Sequence, residues 1–212
     1  MANAPNLPKS GLKYSAIKRI LDITLAAAAV ALLFLPMLLI AVAIYVDDPG
    51  KVIFAQYRIG VKGKTFLLYK FRTMRRNAPQ YVASGDLHHS ERYITRLGHF
   101  LRKSSLAELP QLINVIRGDM SLVGPRPLIP QEELIHLLRQ EYGVYTIRPG
   151  MTGLAQINGR DRLSADEKVS FDVAYMKNFG FMQDFSILLR TLSGVFRGEG
   201  VVEGPAISER LE

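Results

Sequence analysis

ITLAAAAVALLFLPMLLIAVAIYV, residues 23–46, decides the architecture. It carries no charge, and as a helix at 1.5 Å per residue it is about 36 Å long, enough to cross a bilayer. Lys13, Lys18 and Arg19 precede it; Asp47 and Asp48 follow. The run is too long for a signal peptide, and no small-residue cleavage site ends it. Pro36 sits in its middle, where it removes one backbone hydrogen bond and predicts a kink. Two topologies follow. A spanning helix keeps the N-terminus cytoplasmic and puts everything after Val46 outside. A re-entrant helix bends at Pro36 and returns to the face it left. Lone prolines are common in spanning helices, so the residues alone favour spanning.

The chain of 212 residues has room for one domain, or for one domain plus an appendage. A net charge of +8 with a pI near 9.8 asks for an anionic partner: nucleic acid, an acidic membrane surface or a phosphorylated substrate. With no cysteine, disulfides, thiolate metal sites and cysteine nucleophiles are excluded. Residues 1–12 are polar and proline-containing and read as a disordered leader. Residues 13–47 are then the membrane element and 48–212 the domain.

The domain reads as α/β, helix-rich with short strands. Val52–Phe54 and Phe66–Phe71 are β-like, separated by the Gly- and Lys-rich turn at 60–64. Lys70, Arg72, Arg75 and Arg76 form a basic cluster, either a solvated face near an anionic membrane or a phosphate contact. Glu91–Lys103 predicts an amphipathic helix with Ile94, Leu97, Phe100 and Leu101 inward. Pro130–Tyr142 predicts another, with Leu134, Leu137 and Leu138 inward. Ser164 and Glu167 form a capping box for a helix to about Phe179, on which Asp172 and Tyr175 share a face. Phe181–Arg197 closes the series, with Leu188, Leu189, Leu192, Val195 and Phe196 as a core stripe. His88, His89, His99 and His136 share no metal-ligand spacing.

Site chemistry concentrates in Ser104–Pro127, SSLAELPQLINVIRGDMSLVGPRP. Ser105 with Glu108 fits a capping box, complicated by Pro110, which prefers a first helical position. The helix carries Leu112, Ile113, Val115 and Ile116 and ends at Gly118. Met120–Val123 reads as a strand. Glu108 is either the capping carboxylate or a hard oxygen ligand for Mg²⁺. Arg126, Arg148 and Arg160 each sit in a loop beside Gly or Pro, and rigid guanidinium forks suit phosphate. Neither a Walker A sequence nor GxGxxG is present, so no P-loop or Rossmann site is supported.

In order, the chain reads Tyr69-Lys70-Phe71-Arg72-Thr73-Met74, Glu108-Leu109-Pro110-Gln111-Leu112 and Gly118-Asp119-Met120-Ser121. Gly124-Pro125-Arg126-Pro127, Arg148-Pro149-Gly150 and Asn158-Gly159-Arg160 follow. Behind a basic-flanked helix with a central proline, this order resembles the monotopic phosphoglycosyl transferases, the bacterial sugar transferase family, over residues 18–196. The resemblance implies transfer of a sugar-1-phosphate from a UDP-sugar to undecaprenyl phosphate, with release of UMP, as the first membrane step of surface glycan assembly. It implies Mg²⁺, a re-entrant membrane helix and an Asp-Glu pair whose Asp attacks the β-phosphate to form a covalent phospho-sugar intermediate.

Here that pair is Ala107-Glu108. Alanine can neither attack phosphorus nor bind Mg²⁺, so the chain as written is expected to be inactive. An engineered Asp→Ala change and a natural pseudoenzyme each account for it. Arg126 is expected to grip a phosphate, with Arg148, Arg160, Lys70 and Arg72 as further candidates and Asp172, Tyr175 and Asp184 as weaker ones. The family's helix break is commonly Ser-Pro; here it is Leu35-Pro36. UDP-sugars are cytosolic, so the resemblance reverses the topology reading: the re-entrant form keeps the domain on the cytoplasmic face of the bacterial inner membrane. No motif supports nucleic-acid binding. The competing reading is a non-catalytic membrane scaffold that binds nucleotide sugar or recruits glycosyltransferases. Oligomeric state stays open, a homodimer included.

Overall fold

The computed structural model describes residues 9–78, 90–159 and 162–197. Helix α1 (Lys9–Asp47) continues as one helical element through Pro36. It starts inside the stretch expected to be a leader. Its stretch Tyr14–Asp47 is long and apolar enough to cross a membrane. Strands β1 (Ile53–Ile59) and β2 (Thr65–Phe71) follow as an antiparallel hairpin in the register Ile53↔Phe71 to Ile59↔Thr65. Thus β1 runs well beyond the expected Val52–Phe54; Gln56 and Arg58 share the half-buried face with Phe54 while Ala55 and Tyr57 are exposed, which masks the strand in sequence.

Helix α2 (Arg96–Lys103) is capped by the Thr95 hydroxyl, which accepts from the Gly98 amide. A 3₁₀ turn (Leu106–Glu108) leads into α3 (Gln111–Arg117). Gly118 ends α3 as expected, at φ 97° in the left-handed region. Strand β3 (Ser121–Val123) pairs in parallel with β4 (Gly150–Thr152). At that crossing a Cβ on Gly150 would lie 2.1 Å from the Gly124 nitrogen, so only glycine lets the chains approach. Helices α4 (Glu133–Glu141), α5 (Leu154–Ile157), α6 (Ala165–Lys177) and α7 (Phe181–Phe196) complete the domain. The capping box Ser164/Glu167 is present on α6.

The domain packs along α1 on both sides of Pro36. Before it, Ala26, Ala29 and Val30 meet Leu68, Leu112, Val115 and Met120. The small residues Ala26 and Ala29 let backbones come close. After it, Met37, Ile40, Ala41 and Ile44 meet Phe71, Leu101 and Ala107. The opposite face, Leu32, Leu35, Leu39, Val42 and Val46, is exposed to between 54% and 80%. Apolar surface on that scale calls for lipid rather than water.

Several expectations about helix faces need correction. On α2, Leu101 is buried but Phe100 is exposed. On α4, Ile135 and Arg139 are buried, while Leu134 and Leu137 face outward. The buried ion pair of Arg139 with Asp172 turns α4 away from the phase the leucines suggest. On α7, Asp184 and Ile187 point inward, and Leu189 and Leu192 are exposed with Phe181, Met182 and Phe185. Ser105 is not a capping-box residue: it sits at φ 60° and makes no side-chain cap. Pro110 takes the N-cap position of α3 instead.

Candidate functional site

The 3₁₀ turn gives Ala107 and Glu108 different surroundings. Ala107 is buried against Ile44, Phe71 and Leu101, beside the second half of α1. Glu108 faces a cavity of about 190 Å³. Arg126, projecting from the loop after β3, lines the same cavity. Lys70 of β2 donates to Glu108 Oε1 at 3.1 Å. Three expected site residues, Glu108, Arg126 and Lys70, are therefore brought together. Leu109, Leu122, Met151 and Leu188 supply apolar wall, and Thr152, Gln156 and Thr191 add polar residues to the lining.

The other candidates lie elsewhere. Arg72 pairs with the Asp48 carboxylate at 3.2 Å and also donates to the Asp48 carbonyl, so it fastens the end of α1. Arg148 Nε donates to the Gly118 carbonyl at 3.0 Å, and Arg19 donates to the Val115 and Ile116 carbonyls. Both arginines thus satisfy the C-terminal end of α3, where carbonyls carry partial negative charge. Arg160 lies outside the described residues, as do His88 and His89.

Asp172, Tyr175 and Asp184 are buried rather than on a helix surface. Asp172 accepts from Arg139 Nε at 2.9 Å and Nη2 at 2.7 Å. Burial pushes the Asp172 carboxyl up, and Arg139 pulls it back down. Arg139 Nη1 also donates to the Arg126 carbonyl at 2.8 Å. Asp184 accepts from Tyr175 at 2.7 Å, from Tyr14 at 2.8 Å and from Lys18 at 2.6 Å. Burial raises the Tyr175 hydroxyl well above its ordinary value, and the Asp184 charge adds to that.

Sequence reasoning missed Arg139 and Asn114. The signal for Asn114 was a polar residue inside INVI; its side chain accepts from the Tyr69 amide and donates to the Leu67 carbonyl, tying α3 to β2. Arg139 sits four residues after the buried Ile135, a core phase for a charge.

A Mg²⁺ ion asks for hard oxygen donors, commonly one or two carboxylates with phosphates and water. Among the described residues lining the cavity the one carboxylate is Glu108, which already pairs with Lys70, and Ala107 contributes none. Among the described residues no group of three or more His, Cys, Asp or Glu is placed to hold a metal. These side chains do not build a Mg²⁺ site by themselves.

Residues 13–198 match the family model for bacterial sugar transferases. The uncharacterized sugar transferase EpsL of Bacillus subtilis is 38% identical over 185 residues, covering 87% of this chain and 90% of that protein. The UDP-glucose:undecaprenyl-phosphate glucose-1-phosphate transferase of Caulobacter vibrioides is 42% identical over 185 residues, 82% of this chain and 68% of that protein. The UDP-galactose-lipid carrier transferase of Erwinia amylovora is 38% identical over 209 residues; the match covers 92% of this chain but 43% of that protein. Some relatives are thus about this size, and others are more than twice as long.

Proposed function

The chain belongs to the bacterial sugar transferase family, and from that premise we propose that it is built for transfer of a sugar-1-phosphate from a UDP-sugar to undecaprenyl phosphate. The observation that carries this reading is the convergence of Glu108, with its Lys70 partner, and Arg126 on one cavity beside the membrane helix. A guanidinium and an ammonium near one small cavity suit a diphosphate, because phosphoryl transfer is mostly positioning and charge stabilisation. In the complete reaction a carboxylate oxygen at position 107 attacks the β-phosphorus. The bond from that phosphorus to the bridging oxygen breaks, and UMP departs. An oxygen of the acceptor phosphate then attacks the same phosphorus and releases the carboxylate. Ala107 removes the first step, so this chain holds donor without turning it over. Mg²⁺ is proposed to arrive with the diphosphate and to meet Glu108, the carboxylate among the described residues that line the cavity.

The topology we propose is re-entrant, with the domain on the cytoplasmic face. It is supported by attachment of α1 to the domain on both sides of Pro36: Lys18 reaches Asp184, and Ile44 packs on Phe71. A helix that left the domain to cross the bilayer could not keep both attachments. The chain has no cysteine, so Lys9→Cys and Lys51→Cys make clean single-thiol probes. Both are expected to react with an impermeant reagent from the cytoplasmic side. Labelling from opposite sides would overturn the topology.

The activity is tested by Ala107→Asp with a panel of UDP-sugars and undecaprenyl phosphate, reading UMP release. The expected result is release above the parent chain for at least one sugar. A second reading, a non-catalytic nucleotide-sugar binder, is favoured by the packing of Ala107 in an apolar cluster. A folded A107D protein that binds UDP-sugar and releases no UMP would support that reading and sink the first.

A further inference from the structure

The loop that carries Arg126 is held at every carbonyl from Pro125 to Ile129. The Pro125 carbonyl accepts from the Gly150 amide at 2.9 Å, and that of Leu128 from the Ile59 amide at 3.0 Å. Arg58 Nη1 donates to the Pro127 carbonyl at 3.3 Å. His136 Nε2 donates to the Ile129 carbonyl at 2.8 Å, since a carbonyl can only accept. The Arg126 carbonyl itself is held by Arg139 Nη1 at 2.8 Å. Pro125 and Pro127 fix two φ angles of this loop, and Pro127 biases Arg126 to extended backbone.

Four of these five restraints come from main-chain amides or from side chains only partly buried. The fifth is different. Arg139 is 3% exposed and its counter-ion Asp172 is 2% exposed. A buried ion pair is weak evidence for stability, because desolvation offsets most of the Coulomb attraction. Its value lies in geometry: a guanidinium fork can hold a carboxylate and a carbonyl at once in fixed directions. Here the fork spans Asp172 Oδ2 and the one carbonyl that belongs to the arginine of the cavity.

We propose that Arg139, oriented by Asp172, is a positioning residue that fixes Arg126 at the phosphate-binding wall of the cavity. This rests on the reading that Arg126 grips the donor phosphate. Arg139 does not touch substrate; it acts through the Arg126 backbone. Catalysis and binding at such a wall depend on donors being aimed before the ligand arrives. Lysine in place of Arg139 keeps the charge but cannot span both acceptors.

The test is a double-mutant cycle on the detergent-solubilised chain, with UDP as the probe in the presence of MgCl₂ and Kd read by calorimetry. Arg126→Ala is expected to weaken UDP binding at least tenfold. Arg139→Lys is expected to weaken it severalfold when Arg126 is present and not at all in the R126A background, while lowering Tm equally in both. A severalfold loss from R139K in both backgrounds, or no loss with Arg126 present, would overturn the positioning role alone. No change from R126A would overturn the reading of Arg126 and this inference with it. Should R139K fail to fold, Asp172→Asn replaces it: it keeps the shape and an acceptor for Arg139, and the same pattern of coupling to Arg126 is expected.

Discussion

The two halves of α1 both pack on the same domain, but only the first carries a buried polar cluster along its length. Before Pro36 a buried polar cluster is added to the apolar packing of Ala26, Ala29 and Val30: Asp184 gathers Tyr14, Lys18 and Tyr175, and Asp22 accepts from the Ser121 hydroxyl at 2.7 Å. After Pro36 the helix itself docks through apolar side chains, Met37, Ile40, Ala41 and Ile44 on Phe71, Leu101 and Ala107, with Arg72 holding Asp48 just past its end. In lipid these differ in kind. Acyl chains are as apolar as leucine, so the second half gains packing but little hydrophobic driving force by leaving them. The first half gains hydrogen bonds that lipid cannot supply. Directional contacts therefore fix where α1 docks, and apolar ones leave the half beside position 107 the easier to move.

The most damaging way to break this contrast is Asp184→Ala. It removes one acceptor from three donors and leaves the buried Lys18 ammonium with Asp22 alone, 3.7 Å away. Removing one partner of a buried ion pair costs about 3–5 kcal/mol, and the longer contact to Asp22 places the expected loss near the lower end. Hydrogen exchange in detergent is expected to show lost protection over residues 14–30 and retained protection over 37–46. Equal loss in both halves would mean that the helix docks as one unit and that the contrast has no energetic content.

Ile44→Ala probes the other half. A buried Ile→Ala change costs about 2–5 kcal/mol in water. Because α1 is released into detergent rather than water, the transfer part shrinks and the expected loss is about 2 kcal/mol, mostly cavity and packing. Chemical denaturation followed by circular dichroism measures it. A loss matching that of Asp184→Ala would show that apolar packing, not the polar cluster, anchors the helix.

How much of this was legible in sequence follows the same division. The apolar run announced α1, and Gly118 and the Ser164/Glu167 box announced helix ends, because those signals are local. The Glu108–Arg126 convergence was legible through motif order. Which face each helix buries was not. Leu134 and Leu137 outnumber Arg139 on α4, yet Arg139 is the buried residue because Asp172, 33 positions later, waits for it. Arg148 and Arg126 look alike in sequence, each beside proline. Arg148 donates to the Gly118 carbonyl and Arg126 lines the cavity, a difference that the local sequence of neither encodes. Asp184 read as a weak site candidate because nothing in its neighbourhood names Lys18, which lies 166 residues away.

The smallest effect sharpens the contrast by pH. Tyr175 donates to Asp184, and its hydroxyl is raised well above the ordinary tyrosine value by burial first and the Asp184 charge second. A group raised in the folded state contributes stability that is fully present below its unfolded value, about 10, and is lost as pH climbs beyond it. The unfolded chain can then release the tyrosine proton and the folded chain cannot. Tyr175→Phe removes both the hydrogen bond and the titration. At pH 7 it is expected to cost about 1.5 kcal/mol, the low end for a bond to a charged group, because Asp184 keeps Tyr14 and Lys18. Denaturation at pH 7 and again near pH 11 should show the gap between parent and Y175F narrowing, since the parent alone loses this contribution. The I44A gap should stay constant over the same interval, because nothing in that contact titrates. A Y175F gap independent of pH would mean that the Tyr175 proton is as easily lost folded as unfolded, and that the polar attachment is open to water.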